Sequence, residues 1–121
     1  MNATEVLTRF VAAVAAGDFD AMRSFYAPDV RIWHSTDRAW QEGADANVAL
    51  ARQTLKGIAG FRHDVERYIA TESGAIAEGL LRGEVGKARL KMETPFCLVA
   101  TISNGLITEA REYIDQGHLP R

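Results

Sequence analysis

Asn104-Gly105 stands between two long segments of alternating apolar and polar residues, Arg89 to Ser103 and Leu106 to Asp115. Asn-Gly is the pair best suited to a two-residue turn with positive φ at both positions, and that turn folds its flanking strands into an antiparallel hairpin. The pattern repeats upstream: Ala75 to Val85 lies between Ser73-Gly74 and Gly86-Lys87, and Phe61 to Glu72 precedes it. Four consecutive strands joined by tight turns therefore make the second half of the chain an antiparallel meander. On the longest strand Leu90, Met92, Phe96, Leu98, Ala100 and Ile102 share one face, while Pro95 has opposite parity and marks a bulge or an edge. Phe61, His63, Val65 and Ile69 form the matching face of the first strand of the meander. A sheet with one apolar face needs a cover.

The first half supplies it. Glu5 to Ala16 places Val6 or Leu7, Phe10, Val11 and Val14 at helical spacing, with Gly17 as the C-cap. Asp18 caps a short second helix carrying Phe19, Met22 and Tyr26 on one face and ended by Pro28. From Asp29 to Ser35 the period becomes two, with Val30, Ile32 and His34 on one face and Arg31 and Trp33 on the other. Thr36 to Gly43 has no period and reads as a loop carrying Trp40. A third helix follows, capped by Asp45, with a stripe of Val48, Ala51, Leu55 and Ile58 closed by Gly57 and Gly60. The expected fold is a single α+β domain over residues 1–121. It is a cone-shaped curved antiparallel sheet with three helices packed on its concave face and one end open.

Composition excludes several roles. Lys and Arg number 14 against 16 Asp and Glu, and no basic run occurs, so no grip on nucleic acid is expected. The longest apolar stretch, Phe10 to Ala16, falls far short of the ~20 residues of a membrane span. The N-terminus lacks the basic start of a secretory signal, so the Asn2-Ala3-Thr4 sequon is read as chance and the expected compartment is the cytoplasm. Cys97 is alone and can form no intrachain disulfide. No HxH, HExxH or Cys cluster, no Gly-rich phosphate loop and no GxSxG is present, and neither metal nor cofactor is expected.

Three marks, in this order and spacing, carry a family likeness: Ala16-Gly17-Asp18-Phe19-Asp20, then Phe25-Tyr26-Ala27-Pro28-Asp29-Val30, then Gly105-Leu106-Ile107-Thr108-Glu109 through Arg111-Glu112-Tyr113-Ile114-Asp115. With them the chain resembles, over nearly its whole length, the SnoaL-like polyketide cyclase branch of the nuclear-transport-factor-2-like superfamily. The resemblance implies the cystatin-like cone, a pocket for a small hydrophobic molecule and a homodimer formed through the sheet. The superfamily spans cyclases, isomerases, epoxide hydrolases, dehydratases and binding domains, so the fold gives no reaction by itself. Against ketosteroid isomerase, the base falls on His34, the oxyanion tyrosine on Phe10 and the protonated Asp near Val99, so all three have changed. Against limonene epoxide hydrolase, Asp115 matches the late Asp, but the Arg-x-Asp segment falls near Glu78-Gly79-Leu80. Against the SnoaL-like cyclases, the acid/base positions fall on Asp115 and His34.

Each candidate has a plainer reading beside the functional one. His34, with an ordinary pKa of about 6.5, can move protons near neutrality, or it is a core histidine satisfied by a carbonyl. Asp115 closes a face read as Ile107, Glu109, Arg111, Tyr113, Asp115; it is an inward acid/base, or it pairs with Arg111 or solvent. Tyr26 and Tyr113 can polarise a carbonyl, or pack with satisfied hydroxyls. Trp40 is expected on the rim of the pocket and Trp33 in ordinary packing. Phe10, Val14, Ile32, His63 and Phe96 are expected to line the pocket. Cys97, Val99 and Thr101, with Thr108, Ala110 and Ile114, form the apolar strip expected at the dimer face. The expected activity is cofactor-free acid–base chemistry on a hydrophobic metabolite: cyclisation, isomerisation, dehydration or hydrolysis. The alternative is a non-catalytic ligand-binding or association domain of the same fold.

Overall fold

Helix formation begins where the sequence supplies a cap. In the computed structural model, which describes residues Met1 to Pro120, the side chain of Asn2 accepts from the Glu5 amide and opens α1 (Ala3–Ala16). Gly17 closes α1 in the left-handed region at φ 67°, its amide donating to Ala13 and Val14. Asp18 then accepts from the Ala21 amide and starts α2 (Phe19–Ser24). This helix is shorter than its pattern suggested. Tyr26 begins β1 (Tyr26–His34) instead of ending α2, and Pro28 lies within that strand. A short β2 (Ala39–Glu42) forms where only a loop was expected, pairing antiparallel with β1 so that Trp40 stands beside Trp33. Then α3 (Ala44–Leu55) starts from Gly43 with no side-chain cap; Asp45 pairs with Arg23 of α2 instead.

The meander follows as β3 (Ile58–Ala70), β4 (Gly74–Val85), β5 (Leu90–Ser103) and β6 (Leu106–Ile114). Asn104 and Gly105 both have positive φ, 53° and 77°, as the hairpin between β5 and β6 requires. The six strands lie in the order β2-β1-β6-β5-β4-β3. Five neighbours make four antiparallel pairs and one parallel pair, since β6 returns alongside β1 in the same direction. The sheet is therefore mixed, because the long crossover through α3 lets the first and last long strands run together.

The helices cover the inner face of this curved sheet. Val6, Leu7 and Val30 are fully buried, and Phe10, Val14, Met22, Leu81, Met92, Leu98 and Ile107 complete the core. Burying each large side chain contributes about 1.5–3 kcal/mol. Bulges in β6 and β3 change which residues face it. In β6, Ile107 opposes Ile102 but Glu109 opposes Thr101, so Thr108 is an extra residue. Beyond it the parity reverses, and Ala110, Glu112 and Ile114 face the helices while Glu109, Arg111 and Tyr113 face away. In β3, a first shift lies between Ala59 and Arg62, and Glu66 is a further extra residue, which turns Tyr68 inward and sends Ile69 to the outer face opposite Ile76. No helix among the described residues is long and apolar enough to cross a membrane.

Candidate active site

A cavity of about 440 Å³ opens between the inner face of the sheet and the helices. Its walls are mostly apolar, with Phe10, Val14, Met22, Ile32, Leu81 and Leu98 among them. Such a volume and lining suit a small organic ligand. Leu119, from the tail after β6, reaches the same cavity. The tail is held there by a short 3-10 turn (Gln116–His118), with Thr94 donating to the His118 carbonyl at 2.9 Å and Gln116 to the Ser35 carbonyl at 3.1 Å.

Polar groups gather at one end. His34 and Glu112 sit directly opposite one another on the parallel pair β1 and β6 and point to the same side. His34 Nδ1 lies 3.3 Å from Glu112 Oε1, and since an ionised carboxylate only accepts, the ring nitrogen carries the proton. The side chains are 17% and 23% exposed. Glu112 raises the His34 pKa above the ordinary histidine value, chiefly through this hydrogen bond; burial opposes it, and Asn47 and Asp37 add smaller upward contributions. Tyr26, buried against Phe10 with ring centroids 5.3 Å apart, has its phenol pushed far up by burial and by the Glu112 charge, so it keeps its proton. His63 meets Phe61 and Phe96 edge-on at 5.2 and 4.9 Å, and burial lowers its pKa, leaving a neutral imidazole.

Four expectations change here. Asp115 is not a wall of the cavity: it caps the 3-10 turn, accepting from the Gly117 amide at 3.0 Å and lying 2.8 Å from His118 Nδ1. Tyr113 is 41% exposed and packs on Trp33 at 5.4 Å on the outer face. The Thr108 bulge accounts for both, since it hands the inward position to Glu112. Trp40 also lies away from the cavity, stacked between Arg31 at 4.1 Å and Arg111 at 4.8 Å. Phe96 is buried behind His63 and does not line the cavity. His34, Tyr26, Phe10, Val14, Ile32 and His63 do line it. Two polar residues went unread: Glu112, masked by the parity change, and Asn47, whose place on the Ala44, Val48, Ala51 stripe of α3 was a signal. Among the described residues no cluster of three or more potential ligands is arranged to hold a metal ion.

The apolar strip expected at the dimer face also changes. Ala110 and Ile114 turn inward, while Cys97, Val99 and Thr101 stay outward on β5. Glu78 and Glu93 face out too, paired with Arg67 at 2.8 Å and with Arg82 at 2.7 Å.

Known proteins share this architecture. The sequence profile described as "SnoaL-like domain" matches residues 7–110. A Shewanella denitrificans structure described as a SnoaL-like polyketide cyclase superposes with a TM-score of 0.85 at 13% identity, over 94% of this chain and 90% of that one. A Catenulispora acidiphila protein of ketosteroid isomerase-like fold, solved with trimethylamine, gives 0.86 at 16% identity, over 94% and 88%. An LEH-like epoxide hydrolase from M. tuberculosis gives 0.82 at 22% identity, over 96% and 84%. At these identities the likeness carries the fold alone. No protein of curated function matches the sequence.

Proposed function

The chain belongs to the SnoaL-like domain family, and on that premise we propose that it is a cofactor-free enzyme moving protons on a small, neutral, hydrophobic molecule bearing a carbonyl or epoxide oxygen. One observation carries this reading: the 3.3 Å contact between His34 and Glu112 in the wall of a mostly apolar cavity. A carboxylate and an imidazole in contact supply a proton acceptor and a proton donor near neutral pH. The Tyr26 phenol, kept protonated, offers a further donor to a ligand oxygen. The apolar walls select the ligand by shape and exclude water, which strengthens each of these polar contacts. Cyclisation, isomerisation, dehydration and epoxide hydrolysis all draw on this equipment.

The test is turnover of a panel of cyclic ketones, enol lactones and epoxides by wild type, His34→Gln and Glu112→Gln, with Asp115→Asn as a control outside the cavity. Loss in the first two variants but not the third supports the reading. Unchanged turnover in both would sink it. A second reading has its own support: His34 Nε2 is covered from solvent, as a purely structural or ligand-orienting histidine would be. On that reading the domain binds its ligand without converting it, and binding tolerates His34→Gln.

We also propose a homodimer through the outer sheet face. Pro95, Cys97 and Val99 on β5 and Ile76 and Leu80 on β4 form a half-buried apolar band there, interrupted by Glu78, which pairs with Arg67, and bounded at one end by the Arg82–Glu93 pair. A stable pairing would bury at least ~1,000 Å². A monomer mass by light scattering that does not change with concentration counts against it.

A further inference from the structure

Asn47 occupies the inward stripe of α3 and is only 3% exposed, a place where a polar side chain is costly unless bonded. Its amide gives one proton to the Gln41 carbonyl at 3.0 Å and the other to the Gly43 carbonyl at 2.9 Å. Carbonyls only accept, so these two bonds settle which end of the amide is nitrogen. The carbonyl end, Oδ1, is left buried and without a formed hydrogen bond among the described residues. So is His34 Nε2, which lines the same cavity as Asn47, and the Asn47 amide favours the protonated imidazole. The other ring nitrogen already meets the Glu112 carboxylate. A proton on Nε2 would meet the need of both buried atoms, and an imidazole that donates at both nitrogens is an imidazolium.

We infer that Asn47 is the positioning residue of this site, its anchored carbonyl holding the Nε2 proton so that His34 and Glu112 rest as an ion pair in which Glu112 is the proton acceptor. This rests on reading the pair as the acid–base site. In the step that follows, a ligand C–H or O–H proton moves to a Glu112 oxygen and the ligand keeps the electron pair as an anion. The adjacent imidazolium, whose own protons do not move, offsets that charge. Return of the proton from Glu112 to another ligand atom restores the site. The other groups facing His34 are Asp37 in the turn after β1, Tyr26 on β1 and, across the cavity, His63 on β3.

The experiment is a nitrogen-15 NMR titration of the histidine side chains in the full chain, for wild type, Asn47→Leu, Asn47→Asp and Glu112→Gln. In wild type both His34 nitrogens should give the protonated signature at pH 6.5, with a midpoint above that of an ordinary histidine. Asn47→Leu should lower the midpoint and Asn47→Asp should raise it. A wild-type His34 protonated on one nitrogen at pH 6.5 overturns the inference, and this measurement needs no variant to fold. An Asn47→Leu protein with a native backbone spectrum and an unmoved His34 titration overturns it too, since a residue that only ties down α3 would behave that way. If the titrations move as stated but no protein turns over any ligand, the positioning role stands and the enzymatic reading falls.

Discussion

Replacing Glu112 by Gln keeps the shape of the side chain and removes the charge that His34 faces. The two side chains are 17% and 23% exposed, between the surface pair and the buried one. An exposed pair contributes about 0–1 kcal/mol, whereas breaking a buried one costs about 3–5 kcal/mol. The expected loss is about 2 kcal/mol while His34 is protonated. For a 121-residue chain that corresponds to a fall of about 6–10 °C in Tm. The pH dependence is the sharper part. The folded His34 pKa lies above its unfolded value of about 6.5, so the stabilisation is complete below pH 6.5 and fades as pH rises through the folded value. Thermal unfolding followed by circular dichroism from pH 5 to 9 should thus give a gap between wild type and Glu112→Gln that is widest between about pH 5 and 6.5 and narrows above it. A gap of constant width across the range, or none, would refute the charge coupling on which the site is built.

His63 should act in the opposite sense: its folded pKa is lowered by burial, so its contribution is present above about pH 6.5 and lost as pH falls below it. His63→Phe should therefore lose less stability than wild type between pH 6.5 and 5, as read from the same melts. Gly79→Ala should destabilise by about 3 kcal/mol in chemical denaturation, because a Cβ there runs into the Asp64 carbonyl and the Glu66 amide at the β3 bulge. Asp115→Asn should leave His34 titration unchanged and alter overall stability by less than about 1 kcal/mol, since its partners are exposed. Its effect should appear as faster hydrogen exchange at Gly117 and His118, whose amides lean on Asp115.

The parts of the fold set by local chemistry were legible. Gly17, Asp18 and Asn104-Gly105 each act within a few residues, and each forms the cap or turn its side chain favours. The inward face of β1 was legible for the same reason, since Val30, Ile32 and His34 alternate without interruption. What escaped depends on pairing between distant strands. Thr108 carries no sign of being an extra residue until β6 lies against β5, and that one insertion replaces Asp115 and Tyr113 by Glu112 as the partner of His34. β2 is four residues with no apolar face, held by its ladder to β1 and by the stacking of Trp40 between two arginines. Asn47 was readable as a polar residue on an apolar stripe, but its role needs the loop carbonyls of Gln41 and Gly43 that orient it.

Proton transfer itself can be read without identifying a product. Cyclic ketones incubated with the protein in heavy water report, by NMR, the exchange of their α-protons for deuterium. If His34 and Glu112 form an acid–base site, wild type should accelerate this exchange for at least one ketone that binds the cavity, and Glu112→Gln should abolish the acceleration while still binding it. Exchange at the same rate with wild type and Glu112→Gln, for every ketone that binds, would contradict it.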